Sequence, residues 1–150
     1  MPKQRSDAAI KPTVNSACVD DPRSKHTFMV TAEVRDRLFG LQFAETMKAG
    51  REQPLWRHID AALAVLRPDP DPSADAAALA EWIKRARPMV DTLSVDDFVP
   101  MGSLLRRSVR VGVQTLRVRL KRAGGGEITT QYVVTEALRA YLDTVMPVDA

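Results

Sequence analysis

The sequence predicts a mainly α-helical protein with a short two-stranded antiparallel ribbon. Of its 150 residues 45% are hydrophobic but only 5% are aromatic, so Leu, Val, Ala and Met must fill the core. That composition suits helices better than a large β-sandwich. Two segments alternate apolar and polar residues as strands do, and helical periodicity follows each. The order strand, helix, helix is therefore expected twice.

Residues 25–67 are expected to form the first of these sets. Phe28 and Val30 alternate with polar or adaptable neighbours, which predicts a strand at about 26–31. From there apolar residues recur at three- and four-residue steps, as one face of a helix requires. Gly50 is a natural stop for that first helix.

A second helix is expected from Pro54 to Arg67, because proline is tolerated in the first helical turn. Residues 68–104 then link the two sets and begin with three prolines, which exclude a helix or a central strand there. One helix is predicted inside this linker at 73–87, closed by Pro88. The remainder of the linker has no clear periodicity.

Residues 105–146 are expected to repeat the first pattern. Three valines alternate with polar or small residues at 108–114, which predicts a strand. Residues 115–123 are expected to form the next helix, although Leu and Val alternate there with Arg and Lys, so that a hairpin stays open. A run of glycines ends that segment, and Thr129 or Thr130 can cap a last helix to Val145.

Charge is distributed unevenly along the chain. The formal net charge of +3 and the pI near 9.3 are only mildly basic. From Arg106 to Arg122 there are seven basic residues and no acidic one, whereas Asp69 to Asp97 holds seven carboxylates. The first of these segments can approach phosphate, and the second would be repelled by it.

The N-terminal residues 1–24 mix charged, Pro, Ser and Asn residues and are expected to form a flexible tail. Cys18 is the only cysteine, so an intrachain disulfide is excluded. No apolar run approaches the length of a membrane span or of a signal peptide's hydrophobic region. We therefore expect a cytoplasmic protein that does not engage a membrane.

Residues 128–142, ITTQYVVTEALRAYL, resemble the second helix of the ribbon-helix-helix family, with its Ser/Thr-capped start and its Ala-Leu and Tyr-Leu ending. The resemblance extends over about 25–66 and 106–145, although residues 48–53 make a longer connection than is usual. In that family two copies pair their strands into a ribbon that enters the DNA major groove. Two units in one chain imply an intrachain pseudo-dimer, similar to tandem ribbon-helix-helix proteins linked to conjugative DNA transfer.

The resemblance implies that the outward face of the ribbon reads bases, while Phe28, Val30, Val109, Val111 and Val113 point inward. The expected base-reading residues are Lys25, Thr27, Met29, Ser108, Arg110 and Gly112. Arg110 is the strongest of these, since a guanidinium can bond both O6 and N7 of guanine. Phosphate contacts are expected from Arg57, Arg106, Arg107, Arg117, Lys121, Thr129 and Thr130.

The function implied is sequence-specific binding of double-stranded DNA by an accessory factor of a plasmid or mobile element, in conjugative transfer or partition. Other DNA-processing proteins are the expected protein partners, and a monomeric pseudo-dimer could assemble further on DNA. A transcriptional repressor or antitoxin of the same fold is an alternative. A helical adaptor that binds proteins through the acidic linker is another.

Catalytic chemistry is poorly represented in the sequence. His26 and His58 are the only histidines, and no set of residues has metal-ligand spacing. The glycines at 124–126 are not followed by the Lys-Ser/Thr of a phosphate loop. We therefore expect no enzymatic activity, no metal and no cofactor.

Overall fold

The computed structural model describes residues 21–125 and 128–146. Cys18 and most of the expected N-terminal tail lie outside them. The described chain is mainly helical with a two-stranded antiparallel sheet, as predicted. Its elements are β1 (Arg23–Thr31), α1 (Ala32–Ala49), α2 (Trp56–Leu63), α3 (Pro72–Thr92), β2 (Phe98–Arg106), α4 (Arg107–Gln114), α5 (Leu116–Arg122) and α6 (Thr130–Val145).

The first strand and helix form where the sequence predicts them, although β1 begins at Arg23, inside the expected tail. The Thr31 hydroxyl accepts a hydrogen bond from the backbone N–H of Val34 and so caps α1. Gly50 ends α1 with a φ of 76°, a left-handed conformation that glycine adopts without steric cost. A strand therefore passes directly into a helix with no loop between them.

The second predicted helix is present in a shorter form, as α2 followed by a 3-10 turn at Ala64–Leu66. Ile59, Ala62 and Leu63 form its buried side. In the part of the chain that the structure describes no side chain caps its start, so the first N–H groups of α2 have no side-chain acceptor there.

The linker helix α3 is longer than predicted, because Pro88 lies inside it instead of closing it. Proline removes one backbone hydrogen bond from a helix, but α3 buries Ala86 and Met89 on either side of Pro88. Burial of this apolar face holds the helix together through the proline to Thr92. At its start, the Asp71 carboxylate accepts a hydrogen bond from the Ser73 N–H.

The strand predicted at 108–114 is wrong, because these residues form α4. Val109 and Val113 are buried whereas Val111, between them, is partly exposed, so the alternation does not correspond to a two-sided strand. With Leu116 and Leu120, both buried, the two inner valines follow the steps of a helix. The helix expected at 115–123 is confirmed as α5, and no hairpin forms there.

The second strand is β2, at Phe98–Arg106, within the predicted linker. Alternate side chains of β2 point inward, namely Met101, Ser103 and Leu105. The residues that alternate with them include Pro100 and Gly102, which are uncommon in strands and obscure the alternation of apolar and polar residues that predicts a strand. In a sheet of two strands each strand has a free edge, so a proline N–H is not required on that side.

The register of the ribbon places Thr27 opposite Gly102 at its middle, with Arg23 opposite Arg106 at one end and Thr31 opposite Phe98 at the other. Phe28 and Val30 are buried, as predicted. Their side of the ribbon covers a core to which every helix contributes.

A strand and the helices that follow it recur in the two halves of the described chain at a nearly constant spacing, whereas α3 has no counterpart. The strands begin at 23 and 98, the helices that follow them at 32 and 107, and the next helices at 56 and 130. Buried residues correspond at the same spacing, namely Val34 with Val109, Leu38 with Val113, Leu41 with Leu116, Ile59 with Val134, and Leu63 with Leu138. In the second half the first helix is interrupted at Thr115, whose hydroxyl bonds to the Val111 carbonyl at 2.7 Å.

No helix in the described ranges is long and apolar enough to cross a membrane.

Candidate nucleic-acid interface

The outer face of the ribbon is formed by alternate residues of the two strands. Lys25, Thr27 and Met29 on β1 lie opposite Leu104, Gly102 and Pro100 on β2, so all six are on the same side. Lys25, Thr27, Pro100, Gly102 and Leu104 are exposed, and Met29 is half-buried. The three predicted base-reading residues of the first strand therefore lie together on this face.

Lys25 crosses the ribbon towards the second strand. A Cβ atom built on Gly102 would lie 3.0 Å from Lys25 Cε and 3.7 Å from Thr27 Oγ1. The stem of Lys25 thus occupies the space that a side chain at residue 102 would fill. The ammonium and the Thr27 hydroxyl are the polar groups at the centre of the face.

The β2 half of the outer face differs from the β1 half in chemistry. Pro100, Gly102 and Leu104 carry no hydrogen-bonding side chain, whereas Lys25 and Thr27 do. Sequence analysis missed these three residues because the strand was predicted ten residues further on. The only signal that could have located it was the inward alternation of Met101, Ser103 and Leu105.

The start of α2 lies next to one end of the ribbon. The Arg23 guanidinium is stacked over the Trp56 ring, 4.3 Å from its centroid, a cation–π contact between β1 and the first residue of α2. Trp56 is half-buried, and Arg57 beside it is exposed. Positive charge at this end of the ribbon therefore comes from Arg57 and from Arg23. The sequence had placed Arg23 in the expected tail.

The start of α6 lies beside the middle of β1. Thr130 and Gln131 share a small cavity of about 200 Å³ with residues 26–29. Thr129 is the N-cap residue and is exposed, but its side chain makes no capping hydrogen bond. Within residues 21–125 and 128–146 no side chain bonds to this hydroxyl or to the first N–H groups of α6, so that they can bind an anion near the ribbon.

The second-strand residues predicted to read bases are not on the ribbon. Ser108 donates to the Asp21 carboxylate through its N–H and its hydroxyl, both at 2.8 Å. Arg110 donates to the Ser24 hydroxyl, and its Nε is buried without a partner within the described residues. Gly112 is buried against the 3-10 turn, where an added Cβ would lie 2.7 Å from the Leu66 carbonyl oxygen. All three residues lie on helix α4, where they contact other parts of the fold and do not reach the outer face of the ribbon.

The predicted phosphate-binding arginines and lysine fall into two groups. Arg106 donates from Nε to the Asp60 carboxylate at 2.6 Å, and its backbone N–H bonds to the same carboxylate at 2.9 Å. Asp60 is 4% exposed, so this pair fixes the end of β2 to α2. The other members of the set, Arg57, Arg107, Arg117 and Lys121, have exposed side chains.

Burial, nearby charge and hydrogen bonding change the pKa values of two groups near the ribbon, His26 and Asp21. The pKa of His26, on the inner face, lies below its usual value because the ring is buried and the Arg110 charge is close. For Asp21, burial opposes ionisation, but the two hydrogen bonds from Ser108 outweigh it and hold the pKa low. A neutral His26 and an ionised Asp21 are therefore the forms at neutral pH.

A groove with a volume of about 870 Å³ lies away from the outer face of the ribbon. It is bounded by the 64–70 segment, α3 and α4, and Trp82, Leu79 and Val65 supply its apolar lining. None of the six outer-face residues lines it. Across the described residues no group of three or more His, Cys, Asp or Glu side chains is arranged to hold a metal ion.

Comparison with protein-family models, with curated proteins and with solved structures finds no match of either the sequence or the fold.

Proposed function

We propose that this chain binds double-stranded DNA with the outer face of the β1–β2 ribbon, as two ribbon-helix-helix units joined in one polypeptide. The observation that carries the proposal is the juxtaposition of three features: an exposed ribbon and the uncapped starts of α2 and α6 on its flanks. A two-stranded ribbon fits the major groove, and helix starts on either side can hold the phosphates.

In this arrangement Lys25 and Thr27 contact base edges, and Met29 and Leu104 contact thymine methyl groups. Arg23, Arg57 and Thr129 hold the phosphates at the flanks. Arg107, Arg117 and Lys121 add attraction that does not depend on sequence. Arg110 and Ser108 have no role in base reading, because their side chains are engaged elsewhere.

The single-chain organisation also determines the symmetry of the target. A homodimer presents two identical half-ribbons and selects a palindromic site. Here one half-ribbon carries Lys25 and Thr27 and the other carries Pro100 and Gly102, so the preferred DNA site is expected to be asymmetric. A non-palindromic DNA site has a defined direction. Such a site suits an accessory factor of conjugative transfer or partition. In its tandem architecture the chain resembles the overdrive-binding virulence protein of Ti plasmids, which is linked to conjugative DNA transfer.

The experiment that tests the proposal is binding of the full-length protein to random duplex DNA over a salt series, with sequencing of the retained fragments. We expect a steep decrease of affinity with salt and an enriched, non-palindromic motif. Lys25→Ala should weaken specific binding by about 1–3 kcal/mol, whereas Lys84→Ala, an exposed lysine on α3, should leave it unchanged. Absence of duplex binding at low salt would refute the proposal.

A repressor of the same fold would bind DNA through the same face. The two roles differ in the position of the enriched site, which for a repressor overlaps a promoter and for a transfer factor adjoins a processing site. Mapping the enriched motif onto the replicon that encodes the chain separates them.

A further inference from the structure

Helix α1 carries an exposed apolar stripe that the DNA-binding proposal does not use. Phe39, Phe43 and Met47 are 48%, 66% and 66% exposed, and their four-residue spacing places them on one side of the helix. The opposite side of α1 buries Val34, Leu38 and Leu41 in the core. We call the three exposed residues the α1 stripe.

Gly40 makes the α1 stripe accessible to another helix. Glycine in the middle of a helix is unfavourable, and no contact among the described residues requires it, since a Cβ added there would meet none of their atoms within 4 Å. Ala44, one turn further on, is also small and exposed. The two small residues form a flat strip beside the phenylalanines, along which a second helix backbone can approach.

The internal repeat shows that the fold does not require this surface. At the constant spacing of the two halves, Phe39 and Met47 correspond to Gln114 and Arg122, and only Phe43 has an apolar counterpart, Val118. The corresponding residues, one at the end of α4 and two on α5, are therefore mainly polar. The exposed Phe39 and Met47 side chains on α1 thus have no apolar counterpart in the second half, and exposed apolar patches of this kind commonly mark interaction surfaces.

We propose that the α1 stripe is a self-association surface that binds the α1 stripe of a second copy in an antiparallel arrangement, with the two-fold axis at Phe43. Each Phe39 then contacts Met47 of the other copy, and the two Phe43 rings meet. A shallow depression of about 410 Å³ bordered by Phe39 and Phe43 can receive the Met47 side chain. This inference stands on α1 alone and is independent of DNA binding.

Charge complementarity supports the antiparallel arrangement over a parallel one. Asp36 is exposed on the stripe side in the first half of α1, where its ion pair among the described residues is a 3.4 Å contact with the neighbouring and partly exposed Arg35. Lys48 and Arg51 are exposed at the other end of α1. Antiparallel helices place each Asp36 near the basic end of the other copy, and their dipoles are also opposed. Glu33 is already bonded to Arg139 at 2.9 Å and contributes less.

Sedimentation of the full-length protein without DNA over a range of concentrations tests the proposal. We expect a reversible monomer–dimer equilibrium in the micromolar range, because three large side chains make a small interface. Phe43→Asp should shift the protein to monomer and leave its helix content unchanged, since the side chain is mostly exposed. Val118→Asp, at the equivalent and 57% exposed position of α5, is the matched control and should dimerise as the wild type does.

Crosslinking tests the location of the two-fold axis. In a Cys18→Ser background, Phe43→Cys should oxidise to a disulfide-linked dimer, whereas Val118→Cys should stay monomeric under the same conditions. A wild-type protein that is monomeric at every concentration would overturn the proposal. So would a dimer that Phe43→Asp does not weaken, or equal crosslinking of the two cysteine variants.

Discussion

The Arg119 guanidinium donates two hydrogen bonds to the Asp75 carboxylate, from Nε at 3.0 Å and from Nη2 at 2.8 Å. Its Nη1 donates to the carbonyls of Leu66 and Gly112, at 2.8 and 2.9 Å. The Arg119 side chain is 9% exposed and that of Asp75 15%. A single side chain on α5 therefore joins the linker helix α3, the 3-10 turn and α4.

Removal of this guanidinium should destabilise the fold strongly. Arg119→Met leaves the Asp75 charge and two carbonyls without their donor, and loss of one partner of a buried pair costs about 3–5 kcal/mol. Urea denaturation measures the change in the free energy of unfolding. Arg35→Gln, which removes the exposed Arg35–Asp36 pair, should change it by less than about 1 kcal/mol. Equal effects of the two substitutions would contradict this account.

The same pair should make stability dependent on pH in the acid range. The hydrogen bonds from Arg119 hold the pKa of Asp75 below its ordinary value of 3.8, although burial opposes them. A carboxyl group with a lowered native pKa stabilises the fold above its unfolded pKa, and that contribution is lost as pH falls through the native value. We therefore expect stability to decline below about pH 4 and Asp75→Asn to decline less steeply. Parallel declines in unfolding experiments would show that other groups are responsible.

Two helical glycines should respond to alanine in opposite directions. Gly112→Ala places a Cβ 2.7 Å from the Leu66 carbonyl oxygen, so α4 must move from the 3-10 turn and stability should fall by about 1–3 kcal/mol. Gly40→Ala meets nothing within 4 Å and should raise stability by up to about 1 kcal/mol through helix propensity. Thermal unfolding of dilute samples compares them. A stabilising Gly112→Ala would mean that α4 does not pack closely on the turn.

Gly102 should affect DNA affinity without affecting the fold. Gly102→Ala would place its methyl group 3.0 Å from Lys25 Cε and displace that flexible side chain from the ribbon, at a stability change within about 0.5 kcal/mol. Affinity for the enriched duplex should fall. In a Lys25→Ala background the same substitution should cause no further loss, and a full additional loss would show that the two residues act independently.

Most helices and strands of the first half could be predicted from short-range sequence patterns, because each has one clear pattern of apolar residues, caps or stops. The Thr31 cap, the Gly50 stop and the inward Phe28 and Val30 are all determined by short-range chemistry. The first half of the outer face, Lys25 and Thr27, followed from the same alternation.

The second strand was not predictable from those rules, because residues 108–114 carry a competing strand-like pattern and Pro100 lies within the true strand. Val109 and Val113 fit a two-residue and a four-residue period equally well, and only their continuation into Leu116 and Leu120 decides between them. Pro100 would normally exclude a strand, and it is tolerated because the sheet has only two strands. The contacts of Arg119 and Asp60 depend on residues more than forty positions apart, which no local pattern reveals.

The pairing of β1 with β2 also has a consequence for how the chain is made. Synthesis adds about 5–20 residues per second, so β1 emerges several seconds before its partner strand, which starts 75 residues later in the sequence. During that interval β1 exposes unpaired backbone groups on both edges, and β2 of a neighbouring nascent chain could pair with it. Ribosomes close together on one message would thus favour strand-exchanged assemblies, whereas slow initiation would favour closure of each ribbon within its own chain.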